Sequence, residues 1–285
     1  MIPKQLSRAA IVAVAGILFV STIAARAEDK DRECKDLPNF TALKSALLQA
    51  VAAESSGLNN QMWATLVNRD GVVCAVAFSG VNRGAQWPGS RVISAQKANT
   101  ANAFSLDRTS NSNGSGQQDG LALSTANLYS AVQPGGSLFG LQESNPVDTN
   151  VAYGGQSIFQ GTAFDPMVGN KIGGVNVFGG GLGLYATGHK IVGGVGVSGD
   201  TSCADHNIAW RVRNLLALDH MAASGSQAAV PGPASLFNSD PTHPDNIIFD
   251  ITANPAGGTG NSASGFGHPS CLNPSDPATL PAVRP

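Results

Sequence analysis

Charge is scarce in this chain. Lys, Arg, Asp and Glu make up 13% of the residues, 17 basic against 19 acidic, for a net charge of −2. No cluster of Lys and Arg occurs, which excludes a nucleic-acid surface, because phosphate binding needs such clusters. After the amino-terminal segment no apolar run is long enough to span a bilayer. The glycine-rich runs lack the Walker lysine pattern, and no well-placed G-x-G-x-x-G opens a helix, which argues against a nucleotide site. The Gly-x-Ser-x-Gly nucleophile elbow is missing. Paired carboxylates on one helix face are absent, and no cysteine spacing is a zinc signature.

What is present begins with a signal peptide. Lys4 and Arg8 give a positive start, residues 9–24 are nearly all apolar, and Ala25-Arg26-Ala27 is a small-x-small cleavage site before the charged EDKDRE. Cleavage is expected after Ala27, with an uncleaved anchor as the alternative. Arg8 stands without a twin arginine, which favours the general secretory route. Removal takes Lys4, Arg8 and Arg26 and no acidic residue, so the mature chain is more negative than the whole. The expected location is periplasmic or secreted, with no membrane association after cleavage. Four cysteines remain: Cys34, Cys74, Cys203 and Cys271. An even number in an oxidising compartment favours disulfides. Spacing does not choose among the three pairings. Cys34–Cys74 with Cys203–Cys271 is preferred, because each bond would pin a loose terminal segment to the core.

In chain order, Asn39 or Thr41 can cap a helix running to about Ser55, with Leu43, Ala46, Leu47, Ala50 and Val51 on one face. Two β-rich runs then flank Asp70-Gly71, a dipeptide that supplies the positive φ angles of a tight hairpin. Pro88-Gly89-Ser90 opens a helix lined by Ala95, Ala98, Ala101 and Ala103, whose only charges are Arg91 and Lys97. Residues 107–120 form a polar low-complexity loop, and residues 121–132 are expected as a short helix. Residues 134–168 have no sustained period and are too long for a simple connection. From His220 the chain turns Pro-, Gly- and Ser-rich, and 221–285 should wrap the domain or a neighbour. Only residues 246–252 look strand-like there.

The chain is read around residues 190–218. A strand carrying Ile191, Val192, Val195 and Val197 is interrupted by Gly193, Gly194 and Gly196 and ends at Ser198-Gly199. Glycine inside a strand often marks close approach by another backbone or a ligand. Asp200, Thr201 or Ser202 can then cap a helix, with Ile208, Ala209, Val212, Leu215 and Leu216 at helical spacing. Asp205 falls in the first turn, where the helix dipole favours negative charge. His206 and Arg213 sit on its flank. A strand running into a helix N-terminus suits an anionic ligand, although plain architecture explains it as well. A near-repeat, KIGGVNV at 171–177 against KIVGGVGV at 190–197, suggests three antiparallel strands here. With the hairpin they make a five-stranded antiparallel sheet with packed helices, an α+β domain over 28–220.

The order DGVVCAVAFSG, RVISAQKANTANAF, KIVGGVGVSGDTSCADHNIAW resembles the GlcG/HbpS heme-binding family, also called the haem-degrading domain family. The shared features are the DG hairpin, the core Lys97-Ala98-Asn99-Thr100-Ala101, and the strand from Gly193 to Gly199 followed by an Asp205-bearing helix. The resemblance covers about 43–216. It implies a profilin-like fold, assembly into a homo-oligomer and, for some members, binding of heme or another tetrapyrrole. The long insertion at 134–168, the tail and the four cysteines depart from the short family members and put the site's cover in question.

Heme needs an axial ligand and a polar or basic setting for its propionates. Among His189, His206, His220, His243 and His268, His206 is best placed, beside Asp205 in the first turn after the glycine strand. Arg91 and Lys97 are the candidates to meet propionates. Without a Cys-x-x-Cys-His motif, covalent c-type attachment is excluded. The expectation is an exported, non-covalent heme- or tetrapyrrole-binding oligomer. Two rivals stay open: an enzyme acting on heme or a small hydroxy acid, and a structural or sensing oligomer without a cofactor.

Overall fold

The computed structural model of the chain describes residues 33–108, 119–258, 260–272 and 279–285. The expected signal peptide and most of the loop 107–120 lie outside the described residues. The chain divides into a unit ending at Asp36 and a unit from Leu37 to Pro285, and the second unit is the subject below. Among the described residues no helix is long and apolar enough to cross a membrane.

Helix α1 (Phe40–Ala52) starts where the sequence marks it: the Asn39 side chain accepts the Ala42 backbone N–H at 3.1 Å. Strands β1 (Trp63–Asn68) and β2 (Val73–Phe78) form the expected hairpin. Gly71 takes φ +80° in the turn, and Asn68 Oδ1 accepts from the amides of Asp70 and Val72. Helix α2 (Ser90–Phe104) is the alanine-rich helix. Strands β3 (Gly181–Ala186) and β4 (Lys190–Ser198) follow, and helix α3 (Ser202–Leu215) is capped by Thr201, whose hydroxyl accepts from Ala204 N.

The antiparallel sheet has the order β2-β1-β4-β3. It has four strands, not the five expected. Residues 171–177 make only isolated bridges, Val72 with Lys171 and Val147 with Gly173. Gly173 and Gly174 take φ +63° and +75°, a left-handed pair that ends any strand there. Residues 121–132 form 3₁₀ turns at Thr125–Leu128 and Ser130–Val132 instead of an α-helix. Ser124 and Asn127 bond each other's backbone and hold the first turn tight. In the tail, only Ile251–Thr252 of the strand-like stretch pairs, with Asn261–Ser262.

Strand alternation divides the core in two. Ala64, Leu66, Val195 and Val197 face α1 and α3, with Ile208, Trp210 and the tail residues Met221, Val230, Leu280 and Val283. Trp63 and Val67 face α2, with Ala95, Ala98, and Met167 and Ile172 from the insertion side. The β4 glycines decide their own meaning. A Cβ at Gly196 would lie 1.9 Å from Ser94 O, and one at Gly194 would lie 2.3 Å from Ala98 O. The close approach is by the backbone of α2, not by a ligand, and the small side chains of that helix permit it.

Candidate functional site

The four side chains singled out by sequence are all buried, and the fold brings them together in only one pair. Lys97 donates to Asp205 Oδ2 at 2.6 Å and to Val197 O at 3.1 Å, with its ammonium 4.5 Å from the Phe178 ring centroid. Asp205 Oδ1 accepts the Asp200 amide at 2.9 Å. Burial pushes Lys97 down, and their mutual attraction opposes that shift. Burial pushes Asp205 up to about 6 despite the ammonium beside it. The negative charge at the start of α3 is therefore the protein's own carboxylate.

Arg91 faces elsewhere. Its guanidinium forms a two-pronged pair with Asp165 and donates to Ala152 O at 2.9 Å, which ties α2 to the insertion. Asp165 also accepts the amides of Gly161 and Met167, so the insertion folds around this carboxylate.

His206 is fully buried, and neither ring nitrogen makes a well-formed hydrogen bond, although the Asn246 side chain acts on the ring. Burial pushes its pKa down to about 3, so the ring is neutral in all but strong acid. Asp245, Arg213 and His268 are the titratable groups whose charges act on it. A Cβ at Gly179 would lie 3.0 Å from His206 Cβ, so the chain leading into β3 lies against it.

Sequence reasoning gave the Cys203–Cys271 pairing and placed Arg213 on this flank, but missed Trp210, Asp245 and Pro281 around that ring. Positions 203, 206, 210 and 213 recur at helical spacing and form one stripe of α3. Cys203 is bonded to Cys271 in the tail. Trp210 Nε1 donates to Pro281 O at 2.8 Å. Arg213 pairs with Asp245 through contacts of 2.6 and 2.9 Å and lies 4.4 Å from the Trp210 ring centroid. One turn position away, Ser202 Oγ lies 2.7 Å from His268 Nε2. Cys34 and Cys74 are disulfide-bonded as well, and no cysteine is free among the described residues. The sequence signals for the tail's role were its Pro-, Gly- and Ser-rich composition and the even cysteine count; Asp245 and Pro281 belong to no periodic pattern.

Two cavities lie nearby. An open cleft of about 960 Å³ is lined by Tyr129, Gln133, Asn254, Asn261 and Phe266, among others, with no charged side chain in its wall. A smaller one of about 180 Å³ lies between Glu54, Asn60 and Asp200. His206 lines neither. No group of three or more potential metal ligands occurs among the described residues.

The family described as "Haem degrading protein HbpS-like" matches residues 41–213. The chain belongs to this family. No curated protein matches it. Solved structures similar to it include Klebsiella pneumoniae protein ORFY, at 22% identity over 66% of this chain and 92% of that one, TM-score 0.40. PduOC, crystallised with heme, is 19% identical over 61% of this chain and 89% of that one, TM-score 0.39. A double mutant of HbpS from Streptomyces reticuli is 17% identical over 63% and 86%, TM-score 0.37.

For heme, one requirement is met within this HbpS-like chain. A neutral buried imidazole has the chemistry of an axial ligand, but the ring lines neither cavity. The propionate side fits less well, since Lys97 and Arg91 are neutralised by Asp205 and Asp165.

Proposed function

We propose that the chain is an exported protein that binds heme or a related tetrapyrrole non-covalently, with His206 as the iron ligand. The observation that carries this reading is the buried imidazole of His206, whose nitrogens make no well-formed hydrogen bond and meet only the Asn246 side chain. Buried polar atoms are nearly always hydrogen-bonded, so an imidazole without a well-formed bond calls for a partner. The haem-related family supports it. The disulfide-bonded cysteines support an oxidising compartment. The antiparallel sheet with helices on both faces is compatible with a profilin-like fold.

Self-association is part of the same reading. Phe139, Tyr153, Ile158 and Phe164 on the insertion are each more than 60% exposed, an apolar surface that a second copy would cover. Sedimentation velocity of the mature chain and its Phe164→Ser variant should show a smaller particle in the variant.

The ligand test is a hemin titration of residues 28–285, oxidised and reduced, followed at the Soret band beside His206→Ala. Saturation near about one hemin per chain, weakened or spectrally moved in the variant, is expected. Binding unchanged in the variant would remove His206 as the ligand. No saturable binding in either redox state would remove the tetrapyrrole reading.

A further inference from the structure

The stripe Cys203, His206, Trp210, Arg213 is committed to the C-terminal tail. Three of its members hold tail groups directly: Cys203 the Cys271 sulfur, Trp210 the Pro281 carbonyl, Arg213 the Asp245 carboxylate. The fourth, His206, lies between them without a well-formed hydrogen bond, and the tail's Asn246 side chain acts on its ring. Around the disulfide, Ala126, Cys203 and Ile247 form a small buried cluster against Cys271. Further bonds reinforce the seat. Asn127 Nδ2 donates to Asn246 O at 3.0 Å and Ser130 Oγ donates to Gly267 O at 2.7 Å, while within the tail His268 N donates to Ile248 O at 2.8 Å.

We infer that the tail segments 245–248 and 267–271 form a strap over His206, and that the Cys203–Cys271 disulfide is its latch. Oxidised, the strap keeps the imidazole sealed; reduced, it lifts and opens the ring to a ligand. This regulation rests on the tetrapyrrole reading for the ligand's identity, but the strap itself does not.

The placement of the bond explains why it is suited to the task. Cys203 stands one helical turn before His206, so the bond fixes the tail on the face that carries the imidazole. The remaining tail contacts are non-covalent and can open locally. Cys271 is the partly exposed half of the bond, whereas Cys203 is buried. A dithiol reductant reaches Cys271 first. Its thiolate attacks the Cys271 sulfur, the S–S bond breaks and Cys203 leaves as a thiolate. The second thiol of the reductant then closes on the mixed disulfide and releases Cys271. The protein gains two thiols and the dithiol leaves as its own disulfide.

The test reads the histidines directly. The mature chain would be treated with diethylpyrocarbonate in three forms, oxidised wild type, dithiothreitol-reduced wild type and Cys271→Ser, with modification located by peptide mass spectrometry. Cys271→Ser leaves the other cysteines of the chain in place and so separates this bond from Cys34 and Cys74. His206 should be protected in the oxidised protein and modified on the order of tenfold faster in the other two, as a local opening requires. His189, equally buried with Nε2 on Ala222 O at 2.9 Å, should stay protected in all three. That separates a lifted strap from an unfolded chain. If Cys271→Ser does not fold, Asp245→Asn, which weakens the strap without touching the cysteines, replaces it and should raise His206 reactivity in the oxidised state. Protection of His206 equal in every form, or loss of protection at His206 and His189 together, overturns the strap. Parallel hemin titrations keep the two claims apart. Opening of His206 without hemin binding keeps the strap and discards the tetrapyrrole.

Discussion

Acid should destabilise this protein through His206, and the size of the effect follows from its burial. The ring has an ordinary value of 6.5 and is pushed to about 3 in the folded chain, chiefly by desolvation. A depressed folded pKa means that the contribution is fully present above about pH 6.5 and is lost as the pH falls toward the folded value. At about pH 5 the unfolded histidine takes up a proton that the folded one refuses. That difference amounts to about 2 kcal/mol of lost stability from this residue alone. Urea unfolding at about pH 7.5 and about pH 5, with disulfides intact, would measure it through the buried Trp63 and Trp210. The His206→Leu variant should lose about 2 kcal/mol less than wild type between the two conditions, because leucine binds no proton. Asp205, raised to about 6, contributes with the opposite sign, since a raised folded value costs stability as the pH rises through it. That contribution is common to both proteins and cancels in the comparison. An equal acid loss in wild type and His206→Leu would refute the reasoning and show that the ring is hydrated or hydrogen-bonded in solution.

Asp245→Ala leaves Arg213 buried without its partner and should cost about 3–5 kcal/mol in urea unfolding, whereas Arg213→Met with Asp245→Leu should cost much less. Gly196→Ala drives a methyl group to 1.9 Å from Ser94 O. Two backbones must separate to accept it, so a loss of about 3 kcal/mol is expected in thermal unfolding. Arg91→Lys keeps the charge but loses the two-pronged grip on Asp165. Limited proteolysis should then cut the insertion between Ser157 and Phe164 faster than in wild type, with the rest of the chain resisting as before.

The local features were legible because each is written within a few residues. Asn39 caps α1 through a neighbour three positions on, and Asp70-Gly71 sets the hairpin turn. The glycines of β4 were legible as a sign of close approach, but not what approached. Gly173 and Gly174 show why the fifth strand failed: the letters permit an extended or a left-handed backbone, and only the fold selects the sign of φ. The site was less legible still. Arg91 and Lys97 read as candidates to meet propionates, yet they pair with Asp165 and Asp205, which stand 74 and 108 residues away. Nothing in the local pattern announces a partner at that distance. His206 falls near the start of the helix that follows the strand, but its cover belongs to a tail without periodicity.

The sheet order carries a consequence for how the chain reaches this state. The hairpin β1–β2 is complete by residue 78, but the other neighbour of β1 is β4, paired from Trp63↔Ser198 to Asn68↔Gly193. Until that late strand arrives, the inner hairpin strand shows a row of unsatisfied amides and carbonyls, an open edge that can pair with another molecule. Pairing between segments so far apart in sequence is slow, because a long loop must close before any contact repays it. A chain emerging from its amino terminus therefore spends its most aggregation-prone interval with residues 79–190 already made and the sheet unfinished. Pulsed hydrogen exchange during refolding should show the β1 amides that bond β4 gaining protection together with β4, and later than those that bond β2.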